Sequence, residues 1–395
     1  MQQFNFPTLV YFGEGALFEL AITIKAKGHQ KALLVSDKTL SALGVVASVK
    51  SIISQQGIEV IVFDNVHANP IEADVENGAA VFNDQDCDCI IALGGGSAMD
   101  VAKVIKVAAT HPPPLSQYDD AIGGEKRITN KMAALYAIPT TAGTGSEVGR
   151  SGVIILRKAK QKAKQETKQE RRQKTIIFSP KLMPDIAVLA PQLTTGLPPH
   201  ITAATGIDAF THSLEAFLAP GFHPMADGIA LQGMKLCIEN LATCVNHGSQ
   251  LMARGKMQLA AMMGATAFQK GLGMIHSLAH PLSAQHNIHH GLANALLLPE
   301  SIKFIEHSAL NSEQKQRIES VRQLFTASNL AKDTLYQTCQ QWFHSLGITF
   351  GLSNYHIDEQ HLAALADDAF ADPCHQSNII AVTKADLLTV YRRAL

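Results

Sequence analysis

At 395 residues the chain exceeds the roughly 250–300 at which a single hydrophobic core stops growing, so two domains are expected. An apolar fraction of 46% and a charged fraction of 17% exclude a disordered or fibrous chain, and 6 cysteines exclude a disulfide-stapled secreted scaffold. A formal charge of −1 argues against nucleic acid or a membrane surface as a chain-wide partner.

That balance conceals a local excess. RKAKQKAKQETKQERRQK (157–174) carries nine basic residues against Glu166 and Glu170, a net of +7, which leaves the rest of the chain at −8. The opening MQQFNFPTLVYFGEGAL has no basic segment ahead of its apolar residues. Nor does any apolar run approach the ~20 residues that span a bilayer, so a cytoplasmic location is expected.

In chain order, four short runs predict strands: KALLVSD (31–37), GIEVIVFD (57–64), CIIALGGG (89–96) and AALYAIPTT (133–141). They are continuous and rich in β-branched residues, as strands buried on both faces are. SALGVVASVKSIISQQ and IEADVENGAAVFNDQ lie between the first three and are amphipathic at helical spacing. Strand and helix in alternation predict βαβ units and a parallel sheet.

SGVIIL and KTIIFS flank the basic run and predict a hairpin around it. The run has little apolar surface to bury and reads as a solvated surface loop; contact with an acidic partner or with nucleic acid is the alternative. From about Pro191 strand-like runs vanish, and segments such as HITAATGIDAFTHSLEAFL and ARGKMQLAAMMGATAFQKGLGMIHSLAH show a three-to-four residue apolar recurrence. The expected division is therefore 1–192 and 193–395. Cys87 and Cys89 lead into the apolar IIAL and read as reduced, strand-packing thiols rather than a metal or redox pair.

Several segments could carry chemistry. GGGSAMD (94–100) follows a strand and opens a helix, where unsatisfied N–H groups and the positive end of the helix dipole suit a pyrophosphate. Met99 stands where the ordinary dinucleotide fingerprint has its third glycine, so the segment reads either as a phosphate loop or as a tight structural turn. PTTAGTGSEV (139–148) also follows a strand and gathers Thr140, Thr141, Thr144 and Ser146; it suits a sugar or phosphate, and equally a plain turn. Both loops would lie at the carboxyl ends of parallel strands, where ligands of open α/β sheets bind. Asp37 closes its strand and could accept from the ribose hydroxyls while repelling the 2′-phosphate of NADP, or simply cap a helix starting at Lys38.

In the helical half, Asp208 and His212 are four residues apart, and so are His276 and His280, with His290 ten further on. Each pair projects from one helix face. One carboxylate and several imidazoles suit Fe²⁺ or Zn²⁺; satisfied core residues are the alternative, which the apolar surroundings make costly without a partner.

Taken together, the chain resembles the iron-containing, or group III, alcohol dehydrogenases. The resemblance rests on YFGEGAL, GGGSAMDVAK, PTTAGTGSEV, SPKLMPD, LPPHITAATGIDAFTHSLEAF and GLGMIHSLAHPLSAQHNIHHGLANALLLP, in that order. It implies a dehydroquinate synthase-like architecture: an α/β Rossmann-like domain with a parallel sheet, an all-α carboxy-terminal domain, and an active site between them. It implies Asp208, His212, His276 and His290 as metal ligands and His280 as a residue linked to proton transfer. For the cofactor it implies Gly95, Gly96, Ser97 and Asp100 at the pyrophosphate loop, Thr140, Thr141, Thr144 and Ser146 at the nicotinamide side, Lys181 as a further contact and Asp37 as the NAD-favouring residue.

The implied activity is hydride transfer between a small primary alcohol or aldehyde and NAD, with Fe²⁺ as the expected ion and Zn²⁺ the alternative, in a homo-oligomer, expected to be a dimer. A glycerol-type polyol dehydrogenase and a metal-free maleylacetate reductase-like enzyme share the architecture, but the four retained ligand positions argue against both. An inactive binding or scaffolding protein, contacting nucleic acid through 157–174, is the alternative of another class. Three places depart from the family pattern: His286 and His289 beside His290, Ala190 where Asp is usual, and the long basic insertion.

Overall fold

The computed structural model describes residue 6 and residues 8–156 and 174–395. Apart from Lys174, the basic run that carries the loop and nucleic-acid expectations lies outside the described residues. The chain divides into two compact units. Of the described residues, one holds 8–140, 146–156 and 174–193; the other holds 6, 141–145 and 194–395.

The first unit is a six-stranded sheet with helices on its faces. Its strands are β1 (Leu9–Phe12), β2 (Lys31–Val35), β3 (Glu59–Phe63), β4 (Cys89–Gly94), β5 (Ala134–Pro139) and β8 (Ile186–Leu189); a separate two-stranded hairpin supplies β6 (Ser151–Ile155) and β7 (Lys174–Phe178). The helices are α1 (Ala16–Ala26), α2 (Lys38–Ala42), α3 (Val45–Ser54), α4 (Glu72–Asp84) and α5 (Gly96–Ala108). The sheet order is β1-β8-β5-β4-β2-β3, with every pair parallel.

Side chains alternate across the central strands, so one run of sequence feeds two cores. Leu33, Ile90, Ala92, Leu135 and Ala137 face α4 and α5, whereas Leu34, Cys89, Ile91, Tyr136 and Ile138 face α1 and α3. Cys87, in the turn ahead of β4, joins the first core and Cys89, on β4, the second, and both are free thiols.

The four predicted strands are β2 to β5, and the hairpin is β6 with β7. Sequence reasoning did not find β1 and β8. Both are only four residues long, and β1 pairs with β8 alone, across 177 residues, as Leu9 with Ile186 and Phe12 with Leu189, while β8 pairs also with β5. Ala190, one of the three departures, is fully buried just after β8, and its carbonyl accepts from Leu193 N–H (3.0 Å) to close a turn.

The chain runs from β2 outward to β3, then returns to the other side of β2 for β4 and β5. The crevice outside the carboxyl ends at such a reversal is where open α/β sheets bind ligands. The segments that leave those ends are Ser36–Asp37 after β2, Gly95–Ser97 after β4 and Thr140 after β5.

The second unit is all helix: α6 (Pro199–Leu218), α7 (Pro224–Asn246), α8 (Leu251–Ala267), α9 (Met274–His286), α10 (His290–Glu306), α11 (Ser312–Ala327), α12 (Leu335–Ser345), α13 (Glu359–Ala371) and α14 (Lys384–Arg393). Its centre is α6, buried on nearly every side from Thr202 to Leu218. A helix apolar all round carries its few polar residues at high cost unless each finds a partner. Thr205 and Thr211 bond to their own helix's carbonyls, whereas the buried ionisable residues Asp208, His212 and Glu215 meet side chains of α9 and α10.

Candidate metal centre and cofactor loops

Asp208, His212 and Glu215 fall on one stripe of α6, at i, i+4 and i+7. Helix α9 brings His276 and α10 brings His290 to the same place. Close approach of α10 depends on Gly291, where a β-carbon would stand 2.2 Å from the Ala204 carbonyl oxygen of α6. One ligand atom from each of Asp208, His212, His276 and His290 lies within 4.8 Å of the other three. His290 Nε2 is 3.4 Å and His276 Nε2 is 3.9 Å from Asp208 Oδ1. The His212 and His276 rings stack with centroids 4.7 Å apart.

Electrostatics hold Asp208, His212 and His290 ready to ligate. Burial opposes the charge of Asp208, but His212, His290 and His276, with a hydrogen bond from Asn294, outweigh it and hold the carboxyl at about 2. Burial lowers His212 to about 4 despite Asp208 nearby, and also places His290 well below its ordinary value. An ionised carboxylate and neutral imidazoles are the forms that bind metal. In His276, burial is outweighed by Glu215, which raises it: Glu215 Oε2 lies 2.5 Å from Nδ1, while Glu215 Oε1 accepts the Ile275 N–H at 2.7 Å. This carboxylate fixes the ring so that Nε2 faces Asp208. Asn294 Nδ2 donates to Asp208 Oδ1 at 2.7 Å and anchors the carboxylate from α10. This donor set, one carboxylate and three imidazoles around a buried centre, fits a borderline divalent ion.

His280 lies one turn beyond His276, its ring stacked on His290 at 5.3 Å. Its Nδ1 is 2.7 Å from Asp372 Oδ2. The other Asp372 oxygen accepts from Ser277 Oγ and from the Cys374 backbone N–H, both at 2.9 Å. Burial works against the Asp372 charge, but the His280 contact wins and holds it well below the usual carboxylate range.

In the sheet unit, Gly94 has φ 151°, and a β-carbon there would meet the Ala98 Cβ at 2.8 Å, so only glycine lets the chain turn tightly into α5. Gly95 caps that helix in an extended conformation and Gly96 begins it, leaving first-turn N–H groups available to an anion. Ser97 Oγ donates to the Ala68 carbonyl at 2.7 Å, tying the loop to the segment ahead of α4. Asp37 Oδ1 caps α2 by accepting from Leu40 N–H (3.0 Å), and its Oδ2 lies on the Gly94 side.

Asp100 and Ser146 are brought into contact with each other. Ser146 Oγ donates to Asp100 Oδ1 (2.7 Å) and accepts from Lys103 Nζ (2.6 Å), while Asp100 Oδ2 accepts from Val153 N–H (3.2 Å). Thr140 N–H donates to the Gly94 carbonyl (3.0 Å), so the ends of β4 and β5 are joined. Thr141 and Thr144 belong to the helical unit, where Gly143 lies against Thr205. The Lys181 ammonium donates to the carbonyls of Ile128 (2.9 Å) and Thr129 (2.8 Å).

Two family models cover nearly the whole chain. "Iron-containing alcohol dehydrogenase" matches residues 7–191 and the "Fe-containing alcohol dehydrogenase family, C-terminal" matches 202–395. The chain belongs to the iron-containing alcohol dehydrogenases. Among relatives, it is 37% identical to 4-hydroxybutyrate dehydrogenase of Cupriavidus necator, over 98% of this chain and 97% of that one. Among solved structures, a 1,3-propanediol oxidoreductase superposes with a TM-score of 0.88 at 31% identity, covering 100% of both chains. Sulfoacetaldehyde reductase from Bifidobacterium kashiwanohense, solved with NAD⁺, superposes with a TM-score of 0.86 at 26% identity, covering 100% of this chain and 98% of that one.

As an iron-containing alcohol dehydrogenase, the protein is an NAD-linked, metal-dependent oxidoreductase of small alcohols and aldehydes. Among the described residues of this dehydrogenase, no helix is long and apolar enough to cross a membrane.

Sequence reasoning missed Glu215, Asn294, Asp372 and Lys103. Glu215 continues the Asp208–His212 stripe and Asn294 follows His290 by four, so helical spacing held a signal for both. Asp372 reaches His280 across more than ninety residues and left none. Of the departures, His286 packs edge-on against the His361 ring at 5.0 Å, and His289 precedes α10 without capping it through its side chain.

Proposed function

We propose that Asp208, His212, His276 and His290 hold the divalent ion, Fe²⁺ as resident and Zn²⁺ as the alternative, and that the substrate is a short primary alcohol with a second polar terminus. The observation that carries the first part is the four donors within 4.8 Å of one another on three buried helices. Support for the second comes from relatives named for 4-hydroxybutyrate, 1,3-propanediol and sulfoacetaldehyde, each of which places its reacting carbon at the end of a short chain with a polar group at the other.

When bound, the ion supplies positive charge to a developing alkoxide and the nicotinamide ring accepts the hydride. The chain's own residues do the rest. Glu215 keeps Nε2 of His276 turned toward Asp208, and Asn294 keeps the Asp208 carboxylate in place. His280, with Nδ1 engaged by Asp372, presents Nε2 to take the alcohol proton and pass it to solvent. For the cofactor, Gly95, Gly96 and Ser97 take the pyrophosphate at the start of α5, and Asp37 accepts from the adenosine ribose. Asp100 and Ser146 hold the loop after β5 to α5, so that Thr140, Thr141 and Thr144 can meet the nicotinamide side. Lys181 offers its remaining N–H to the cofactor.

On this reading residues 1–192 are the dinucleotide-binding domain and 193–395 the metal and substrate domain. The protein acts in the cytoplasm as a homodimer: six free cysteines suit a reducing compartment, and the edge strand β1, paired only with β8 among the described residues, exposes Leu9 and Phe12. Light scattering in solution tests the dimer.

The test of function is metal removal by chelator, reloading with Fe²⁺ or Zn²⁺, and NAD-linked oxidation of 4-hydroxybutyrate, 1,3-propanediol, glycerol and plain short alcohols. Activity that returns only with metal, is lost in His276→Ala, and is strongest on the two-ended substrates is expected. Turnover indifferent to the chelator and to His276→Ala would overturn the ligand assignment. Preference for glycerol or for unsubstituted alcohols would overturn the substrate assignment.

A further inference from the structure

Away from the helical cluster, the amino-terminal edge of the sheet gathers another set of donor atoms. His29 sits in the turn between α1 and β2, Asp88 in the turn before β4, and Cys89 is the first residue of β4. One nitrogen of His29, one oxygen of Asp88 and the Cys89 sulfur lie within 4.8 Å of one another, with His29 Nδ1 3.4 Å from Asp88 Oδ1. The second Asp88 oxygen accepts from the backbone N–H groups of Gln30 (2.7 Å) and Lys31 (3.4 Å). These bonds clamp the carboxylate onto the same turn that carries His29. Cys89 is fully buried, whereas the side chains of His29 and Asp88 keep 20% and 39% of their exposure, so the group is open to solvent on one side.

An independent observation points to a missing partner. Tyr136, on the adjacent strand β5 and the same face as Cys89, is fully buried, and its hydroxyl has no hydrogen-bond partner among the described residues. Its ring meets the His29 ring edge-on with centroids 6.0 Å apart. After burial itself, the groups that act on this hydroxyl are Cys89, Asp185, Asp88 and Tyr11. Most buried hydroxyls in folded proteins are satisfied, and this one, beside imidazole, carboxylate and thiol, is free to face a ligand. Sulfur, nitrogen and oxygen donors together select a zinc-type ion over Mg²⁺ or Ca²⁺, which prefer oxygen alone.

We propose that His29, Asp88 and Cys89 bind a zinc-type divalent cation, with the Tyr136 hydroxyl facing the fourth position, at the edge of the sheet opposite the Gly95 loop. This goes beyond the dehydrogenase activity, which uses none of these residues. Binding replaces the Cys89 thiol proton, which passes to solvent, and changes no oxidation state. The bound ion clips the start of β4 to the α1–β2 turn.

Co²⁺ alone, titrated into the full-length His276→Ala protein, tests the proposal, because thiolate ligation gives a sulfur-to-cobalt charge-transfer absorption that three imidazoles and a carboxylate cannot produce. One equivalent with that band is expected, together with a rise in Tm. The band should vanish when Cys89→Ser is added, weaken at least tenfold in apparent affinity with His29→Ala, and persist with Cys374→Ser, which removes the cysteine beside His280. No band, a band that survives Cys89→Ser, or one lost with Cys374→Ser would overturn the site. Should Cys89→Ser fail to fold, His29→Ala at the turn decides: full-strength binding there refutes the proposal.

Discussion

His276 shows how much of this centre lies behind the ligands. Its Nδ1 is held by Glu215, which also accepts the Ile275 N–H, so one buried carboxylate fixes both the ring and the first turn of α9. Glu215→Gln keeps the size and weakens the acceptor. Metal affinity is expected to fall about 10–100-fold with the helical content unchanged, as measured by competition with a chelator. For His280, Asp372→Asn is expected to lower kcat with little change in the KM for NAD, because Asp372 touches the ring proposed to take the alcohol proton and not the loops proposed for the cofactor. Steady-state kinetics in both directions check it.

A buried charge group in the sheet unit sets a pH dependence. Burial pushes the Glu147 carboxyl up to about 7 from 4.5, against its own backbone hydrogen bond and Lys103. Over that interval the native state keeps a proton that the unfolded chain has released, so stability falls as pH rises from about 4.5 to about 7. The loss is on the order of 3 kcal/mol at most. Glu147→Gln is expected to flatten this slope in urea denaturation at pH values across the interval; an unchanged slope would refute the assignment.

At the scale of elements, the site depends on how closely helices can approach. Helix α6 carries its three functional residues on one stripe, a pattern its own sequence contains. Bringing α10 to it requires Gly291, because a β-carbon would run into the Ala204 carbonyl at 2.2 Å. Gly291→Ala replaces no ligand, yet it is expected to move His290 away from Asp208 and lower metal content in the purified protein. Full metal content in that variant would show that the helices can separate without cost to the centre. The turn from β4 into α5 has the same character: Gly94→Ala is expected to raise the KM for NAD while leaving metal content intact, since the positive φ and the Ala98 contact belong to the loop proposed for the pyrophosphate.

For the molecule as a whole, the basic insertion is the segment that composition sets apart. The hairpin β6–β7 is paired in register from Ser151 with Phe178 to Ile155 with Lys174, so its strands have their own reason to form. Deleting residues 158–173 is expected to leave turnover within about twofold, since a run with so little apolar content adds nothing to a core. Collapse of activity or folding in the deletion, measured by turnover and Tm, would assign the insertion a role.

Chain order and period alone determined a great deal. Continuous β-branched runs at 31–37, 57–64, 89–96 and 133–141 read as buried parallel strands because only a sheet covered on both faces tolerates such runs, and the i, i+4 spacing of Asp208–His212 and His276–His280 placed each pair on one helix face. These are local regularities, and local physics reads them. Tertiary structure decided the rest. Strand β1 exists through pairing with β8, and β8 through pairing with β1 and β5, while Asp372 meets His280 only when α13 packs against α9. Likewise, Tyr136 stands beside His29 and Cys89 only once the sheet has formed. No residue spacing encodes contacts between segments so far apart in the chain; they appear when burial of the apolar faces brings the elements together.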